Sequence, residues 1–89
     1  MREATFTIVN ERGLHARAAA RFVHVASRFA SRIILECEGE VADGKSILSL
    51  MVLGAAHGCT VVLRADGDDE AEALAALGAL IGGGFDERD

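Results

Sequence analysis

Alternation of apolar and polar residues in three separate segments limits most strongly what this chain can form. The segments are EATFTIV (3–9), SRIILECEG (31–39) and CTVVLRADG (59–67). A period of two places the apolar side chains of a strand on one face and the polar side chains on the other. The side chains predicted to face inward are Ala4, Phe6, Ile8, Ile33, Leu35, Cys37, Val61, Leu63 and Ala65. Strands with one apolar face predict a sheet that packs against other elements on one face and is exposed to solvent on the other.

Helical spacing separates these strands. Between Ala16 and Phe29, apolar residues recur at intervals of three and four, which is typical of an amphipathic helix. The segments KSILSLMVLG (45–54) and DDEAEALAALGALIGGG (68–84) predict two more helices, the last of which ends in the glycine run 82–84. EVADG (40–44) fits either a short strand or a turn.

The order of these elements predicts an α+β fold in a single domain over residues 1–89. We expect an open-faced β-sandwich, in which a four-stranded antiparallel sheet carries three helices on one face in the order βαββαβα. A chain of 89 residues has little room for an enclosed substrate cavity. Its size therefore favours a carrier, an adaptor or a binding module over an enzyme with its own turnover.

The charge and the cysteine content indicate which classes of partner and which cellular compartment to expect. The net charge of −5 argues against nucleic acid, and the apolar runs are too short to span a membrane. Cys37 and Cys59 lack the spacing of a metal site, and we expect both to be free thiols, with Cys37 buried. Two reduced cysteines without a targeting signal predict a cytoplasmic protein.

His15, in the segment GLHAR (13–17), is predicted to be the N-cap of the first helix. The first N–H groups of a helix lack intrahelical partners and carry the positive end of its dipole, so they suit a phosphate. The same field disfavours a protonated imidazole, and we expect a neutral, solvent-exposed ring with a nucleophilic nitrogen. A phosphoryl group there would meet the amides of Ala16 and Arg17 and the Arg17 guanidinium. Local chemistry alone leaves open an ordinary surface histidine beside an arginine.

The other two histidines carry weaker signals. His24 lies inside the first predicted helix, and His57 lies in the loop AAHGC (55–59). Both are expected to be structural or solvated. The three histidines show no spacing of metal ligands, so we expect no metal.

In residues 47–53 of the second predicted helix, Ser49 is the only polar residue, so every face of the helix is largely apolar. A short helix on a sheet cannot bury all of its faces, so part of Ile47, Leu48 and Met51 is expected to be exposed as a partner surface. Full burial of this helix is the alternative. Ser46 is predicted to be its N-cap, and a phosphate on Ser46 would place negative charge beside that surface.

The motif pair GLHARAAA (13–20) and GKSILSLMVLGAAHG (44–58) resembles the HPr family of the bacterial phosphoenolpyruvate-dependent sugar phosphotransferase system. The resemblance covers essentially all 89 residues. It implies phosphorylation of His15 at Nδ1 with help from Arg17, regulatory phosphorylation of Ser46, and a docking surface of Ala20, Ile47, Leu48 and Met51. The family usually has proline where this chain has Ala18, and alanine should preserve the helix.

The resemblance also implies partners. These are Enzyme I, proteins of the IIA type and HPr kinase/phosphorylase, acting on a monomeric carrier that needs no cofactor. Two alternatives stay open. One is a regulatory paralogue that signals through Ser46 or partner binding and not through sugar uptake, and the other is a binding module in which no phosphoryl group moves.

Overall fold

The computed structural model describes residues 1–87. Its elements follow the predicted order. They are β1 (Arg2–Thr7), α1 (Ala16–Ala26), β2 (Arg32–Cys37), β3 (Glu40–Asp43), α2 (Ile47–Leu53), β4 (Thr60–Asp66), α3 (Glu70–Gly82) and a terminal 3₁₀ turn (Gly84–Asp86). Within this described part, no helix has both the length and the apolar character needed to cross a membrane.

The four strands form one antiparallel sheet in the order β1-β4-β2-β3, and the predicted fold class is confirmed. The segment 40–44, left open between strand and turn, contributes β3 as an edge strand. Positive φ angles at Glu38 (52°) and Gly39 (82°) make the tight connection from β2 to β3. Leu35 lies opposite Leu63 on β4 and opposite Ala42 on β3, so the inward sides of the strands stay in register.

The apolar core lies between the sheet and the helices. In the three strands predicted from alternation, the inward side chains are the less exposed ones, and Leu35, Leu63 and Ala65 have no exposed surface. On the open face, the Arg64 guanidinium donates to the Glu36 carboxylate at 2.6 Å. The amphipathic strands therefore fix which side of the sheet the helices cover.

α1 ends at Ala26, three residues before the predicted end at Phe29. The amide of Ser27 still bonds to Val23, but the amides of Arg28 and Phe29 bond only three residues back. The last turn is thus tightened and the helix stops without a glycine or proline. This kind of ending leaves no signal in the sequence.

After α3, the chain folds back toward the start of α1 through the 3₁₀ turn. Phe85 adopts positive φ (57°) and is completely buried. Its carbonyl accepts a hydrogen bond of 2.8 Å from the Arg21 guanidinium on α1. The sequence predicted only the glycine run here, so this packed segment is new.

The two cysteines are paired in a disulfide, so the expectation of two free thiols is wrong. Cys37 ends β2 and pairs in register with Val61, and Cys59 immediately precedes β4. Antiparallel pairing of β2 and β4 therefore brings the sulfur atoms together across 22 residues of sequence. The burial predicted for Cys37 is confirmed.

Candidate functional site

The turn before α1 is held by close backbone contacts. Gly13 has a φ of +67°, and its amide bonds to the Asn10 carbonyl at 3.1 Å. The amide of the next residue, Leu14, bonds to the Ala55 carbonyl at 2.8 Å. A Cβ on Gly13 would lie 2.5 Å from the Ala55 oxygen, so both the dihedral angle and the space require glycine. The turn therefore fixes the direction in which the backbone enters His15.

His15 is the N-cap of α1, as predicted. Its backbone is extended (φ −85°, ψ −179°), and its carbonyl accepts the amide of Ala19 at 2.8 Å. The ring Nδ1 accepts the amide of Arg17 at 3.2 Å. The ring therefore lies over the first turn of α1, with Nδ1 directed at an N–H group that has no intrahelical partner.

The expectation of a solvent-exposed ring is wrong. Only 16% of the His15 side chain is exposed, because Glu87 covers one side of the ring. His15 Nε2 and Glu87 Oε2 are 2.5 Å apart. The second carboxylate oxygen, Oε1, accepts from Asn10 Nδ2, also at 2.5 Å. The ring thus presents a bound Nε2 edge and an Nδ1 edge that faces the helix.

Asn10 holds this carboxylate from a buried position. Its Nδ2 donates both to Glu87 and to the Gly13 carbonyl, the latter at 2.8 Å. Among the described residues, its Oδ1 is buried without a hydrogen-bond partner, which costs free energy. The orientation of the amide follows from its two acceptors. Asn10 therefore couples the turn before α1 to the carboxylate on the histidine.

The pKa of Glu87 lies below that of an ordinary glutamate. Burial raises this pKa, but the hydrogen bonds from Asn10 and His15, together with the positive charge of Arg12, outweigh burial. Glu87 is therefore ionised at neutral pH. Neither Glu87 nor Asn10 was predicted from the sequence, because neither belongs to the GLHAR motif and only the fold of the terminal segment brings Glu87 to the ring.

The start of α1 offers further hydrogen-bond donors. By their position, the amides of Ala16, Arg17 and Ala18 have no carbonyl of the helix to bond. Alanine at position 18 keeps an N–H group that proline would lack. The Arg17 side chain is exposed beside this turn. The arrangement can hold an anion next to Nδ1 of His15.

An exposed apolar surface adjoins α1. Leu48, Ile47 and Met51 are 72%, 42% and 45% exposed, so the partial exposure predicted for α2 is confirmed. Ala20 on α1 is also exposed. Val52, at 80% exposure, extends the apolar surface and was not singled out from the sequence.

Ser46 is the N-cap of α2, as predicted, and Gly54 ends the helix in the left-handed conformation. The Ser46 hydroxyl accepts the amide of Ser49 at 3.1 Å. Ser46 is half-buried, next to the exposed Ile47. A phosphate on this hydroxyl would stand at the edge of the apolar surface.

His24 and His57 are both exposed, and His57 lines a surface cavity together with Asn10 and Glu87. His24 Nε2 is 3.3 Å from the guanidinium of Arg28, which follows the end of α1. Within residues 1–87, no group of three or more histidine, cysteine, aspartate or glutamate side chains could hold a metal ion. His15 is the histidine that the fold places at a helix start.

The chain is similar to known proteins over most of its length. A family model described as the PTS HPr component phosphorylation site matches residues 2–82. The phosphocarrier protein HPr of Cupriavidus necator is 47% identical, covering 91% of each chain. HPr of Neisseria meningitidis serogroup A is 45% identical over 98% of each chain. The crystal structure of HPr-C-His from Thermoanaerobacter tengcongensis has a TM-score of 0.94 and 47% identity, covering 100% of both chains.

Proposed function

The chain belongs to the HPr family of phosphocarrier proteins of the phosphotransferase system, and on that premise we propose that His15 carries the phosphoryl group. The observation that supports this is the position of the ring. His15 caps α1, and its Nδ1 lies 3.2 Å from the Arg17 amide. HPr proteins are carriers without independent turnover, so the partners supply the remaining chemistry.

In the proposed reaction, phosphorylated Enzyme I is the donor and a IIA-type protein is the acceptor. Nδ1 of His15 attacks phosphorus in line, and the Nδ1–P bond forms as the donor's N–P bond breaks, with the bonding pair staying on the donor imidazole. The amides of Ala16 and Arg17 then face the phosphoryl oxygens, and the Arg17 guanidinium neutralises charge. Transfer to the acceptor reverses these events.

We propose that Enzyme I and IIA-type proteins bind the docking surface formed by Ala20, Ile47, Leu48 and Met51. Three of these side chains are large, apolar and exposed, and removal of apolar surface from water is a main driving force of protein association. Leu48→Glu should weaken binding of Enzyme I about tenfold or more. Thr5→Glu adds the same charge on the open face of the sheet and is the control. Equal affinity of both variants would refute this surface.

Regulation through Ser46 is proposed as the second activity of the chain. The supporting observation is that the Ser46 hydroxyl caps α2, the helix that carries most of the docking surface. HPr kinase/phosphorylase is the proposed enzyme. A phosphoserine is tolerated at the start of a helix, but its negative charge beside Ile47 would oppose acidic or apolar partners. A purely regulatory role, without sugar uptake, uses the same site.

Mass spectrometry after two separate incubations distinguishes these functions. With Enzyme I and phosphoenolpyruvate, we expect one acid-labile phosphoryl group, which disappears in His15→Ala and persists in the control His24→Ala. With the serine kinase and ATP, we expect one acid-stable phosphate, which disappears in Ser46→Ala. Retention of the acid-labile group in a folded His15→Ala protein would refute the carrier site.

Two broader predictions concern the alternative function and the state of the carrier. Absence of phosphorylation in both incubations would favour the alternative of a non-catalytic binding module. A monomeric carrier in the cytoplasm remains the prediction, and family membership supports it. The disulfide of Cys37 and Cys59 removes the argument from free thiols.

A further inference from the structure

The contact between Glu87 and His15 joins the terminal segment to the proposed phosphorylation site across 72 residues of sequence. The Glu87 side chain is only 13% exposed, and both of its carboxylate oxygens have partners. The buried Phe85, two residues earlier, anchors the segment against the core. The Glu87 carboxylate is therefore a fixed part of the site, and its contact with His15 is not a transient surface contact.

We propose that Glu87 is a positioning residue, which holds the His15 ring with its proton on Nε2 and its lone pair on Nδ1. The proposal rests on the proposed function of His15. An ionised carboxylate can only accept, so the 2.5 Å contact requires Nε2 to donate. Independently, Nδ1 accepts the Arg17 amide at 3.2 Å and therefore carries no proton. Both contacts require the same tautomer.

This tautomer is the one that the transfer needs. Nδ1 has a lone pair for phosphorus, and the Nε2 proton stays in place while the N–P bond of the donor breaks and the Nδ1–P bond forms. The phosphorylated ring with its Nε2 proton is a cation, and the Glu87 carboxylate neutralises it. Because a neutral imidazole leaves more easily than an imidazolide, the protonated ring also releases the phosphoryl group to the acceptor more readily.

The charged groups around His15 and Glu87 determine how the contact between these two side chains responds to pH. Hydrogen bonds from Asn10 and His15 lower the pKa of Glu87, and the positive charge of Arg12 in the preceding turn lowers it further. Arg17 extends from the first turn of α1, and Asn10 orients the carboxylate. On the far side, Glu11 and His57 line a surface cavity that Glu87 also lines. Within residues 1–87, these charged or titratable side chains lie near the pair or line that cavity.

The first readout is the tautomer ratio of the neutral His15 ring, measured by long-range ¹H–¹⁵N NMR on ¹⁵N-histidine-labelled protein. Glu87→Ala should lower the ratio of the Nε2–H to the Nδ1–H form about tenfold, the effect of losing a charged hydrogen bond. Glu40→Ala removes an exposed glutamate on β3 and should leave the ratio unchanged. Amide spectra report whether each variant is folded.

The second readout is the pH dependence of hydrolysis of the phosphorylated protein. In Glu87→Gln, which keeps the shape but loses the charge, the pH at which hydrolysis slows should fall by about one unit. A tautomer ratio and a hydrolysis profile equal to those of the wild type, in variants that are phosphorylated on His15, would overturn the role of Glu87. If wild-type His15 accepts no phosphoryl group, the proposed function itself fails.

Discussion

Replacing Gly13 by alanine tests how the turn before α1 presents His15. The residue has a φ of +67°, which costs an L-residue about 1–2 kcal/mol. The new Cβ would also lie 2.5 Å from the Ala55 carbonyl oxygen and 3.0 Å from the Ala56 Cα. Overpacking of this kind costs about 1–3 kcal/mol. We therefore expect the free energy of unfolding to fall by about 2–5 kcal/mol.

Gly39→Ala is the matched control for this substitution. Gly39 also has positive φ (+82°), but a Cβ there would meet nothing within 4 Å. It should therefore lose only the conformational part, about 1–2 kcal/mol. Urea unfolding followed by circular dichroism gives both values.

Replacement of Gly13 should also affect function. Relief of the contact with Ala55 requires the Leu14–His15 backbone to shift, so folded Gly13→Ala should accept the phosphoryl group from Enzyme I more slowly than Gly39→Ala. If the two alanine variants lose equal stability, the close approach of Gly13 to Ala55 has no energetic effect and the explanation of the turn is wrong.

Three further substitutions test other parts of the structure. Ser46→Ala removes the acceptor of the Ser49 amide and should cost about 1 kcal/mol in urea unfolding; unchanged stability would show that the cap contributes nothing. Phe85→Ala opens a fully buried site and should cost about 3–5 kcal/mol; a wild-type melting temperature would contradict its packing. Hydrogen bonds from the Ser31 hydroxyl and nearby amides lower the pKa of Asp69 in the folded protein. The ionised carboxylate therefore stabilises the fold above the unfolded pKa of about 3.9, and this stabilisation is lost as the pH falls through the lower folded pKa. Asp69→Asn should therefore flatten the acid side of the stability–pH curve, and curves of the same shape would refute this.

The sequence was sufficient for features that depend on local chemistry. The alternation in β2 and β4 identified both strands and the inward side chains, because a period of two has few other structural explanations. His15 and Ser46 were assigned as N-caps from their place before helical segments, and both assignments are confirmed. Exposure of Leu48 followed from the lack of a polar face on α2.

Features that depend on tertiary contacts were missed. Glu87 reaches His15 only because α3 returns the chain to α1 and Phe85 is buried there. The disulfide joins Cys37 and Cys59 through the pairing of β2 with β4, and no spacing rule relates residues 22 apart. The expected exposure of the His15 ring was the most consequential error, since Glu87 covers one side of the ring and leaves only 16% of the side chain exposed.

The most direct test of the account locates the phosphoryl group on the protein. ¹⁵N-histidine-labelled protein is incubated with Enzyme I and phosphoenolpyruvate, and the ring nitrogen bonded to phosphorus is identified from its ¹⁵N–³¹P coupling. We predict a single phosphoryl group, on Nδ1 of His15, with His24 and His57 unchanged. A phosphoryl group on Nε2 of His15, or on either of the other histidines, would contradict the account.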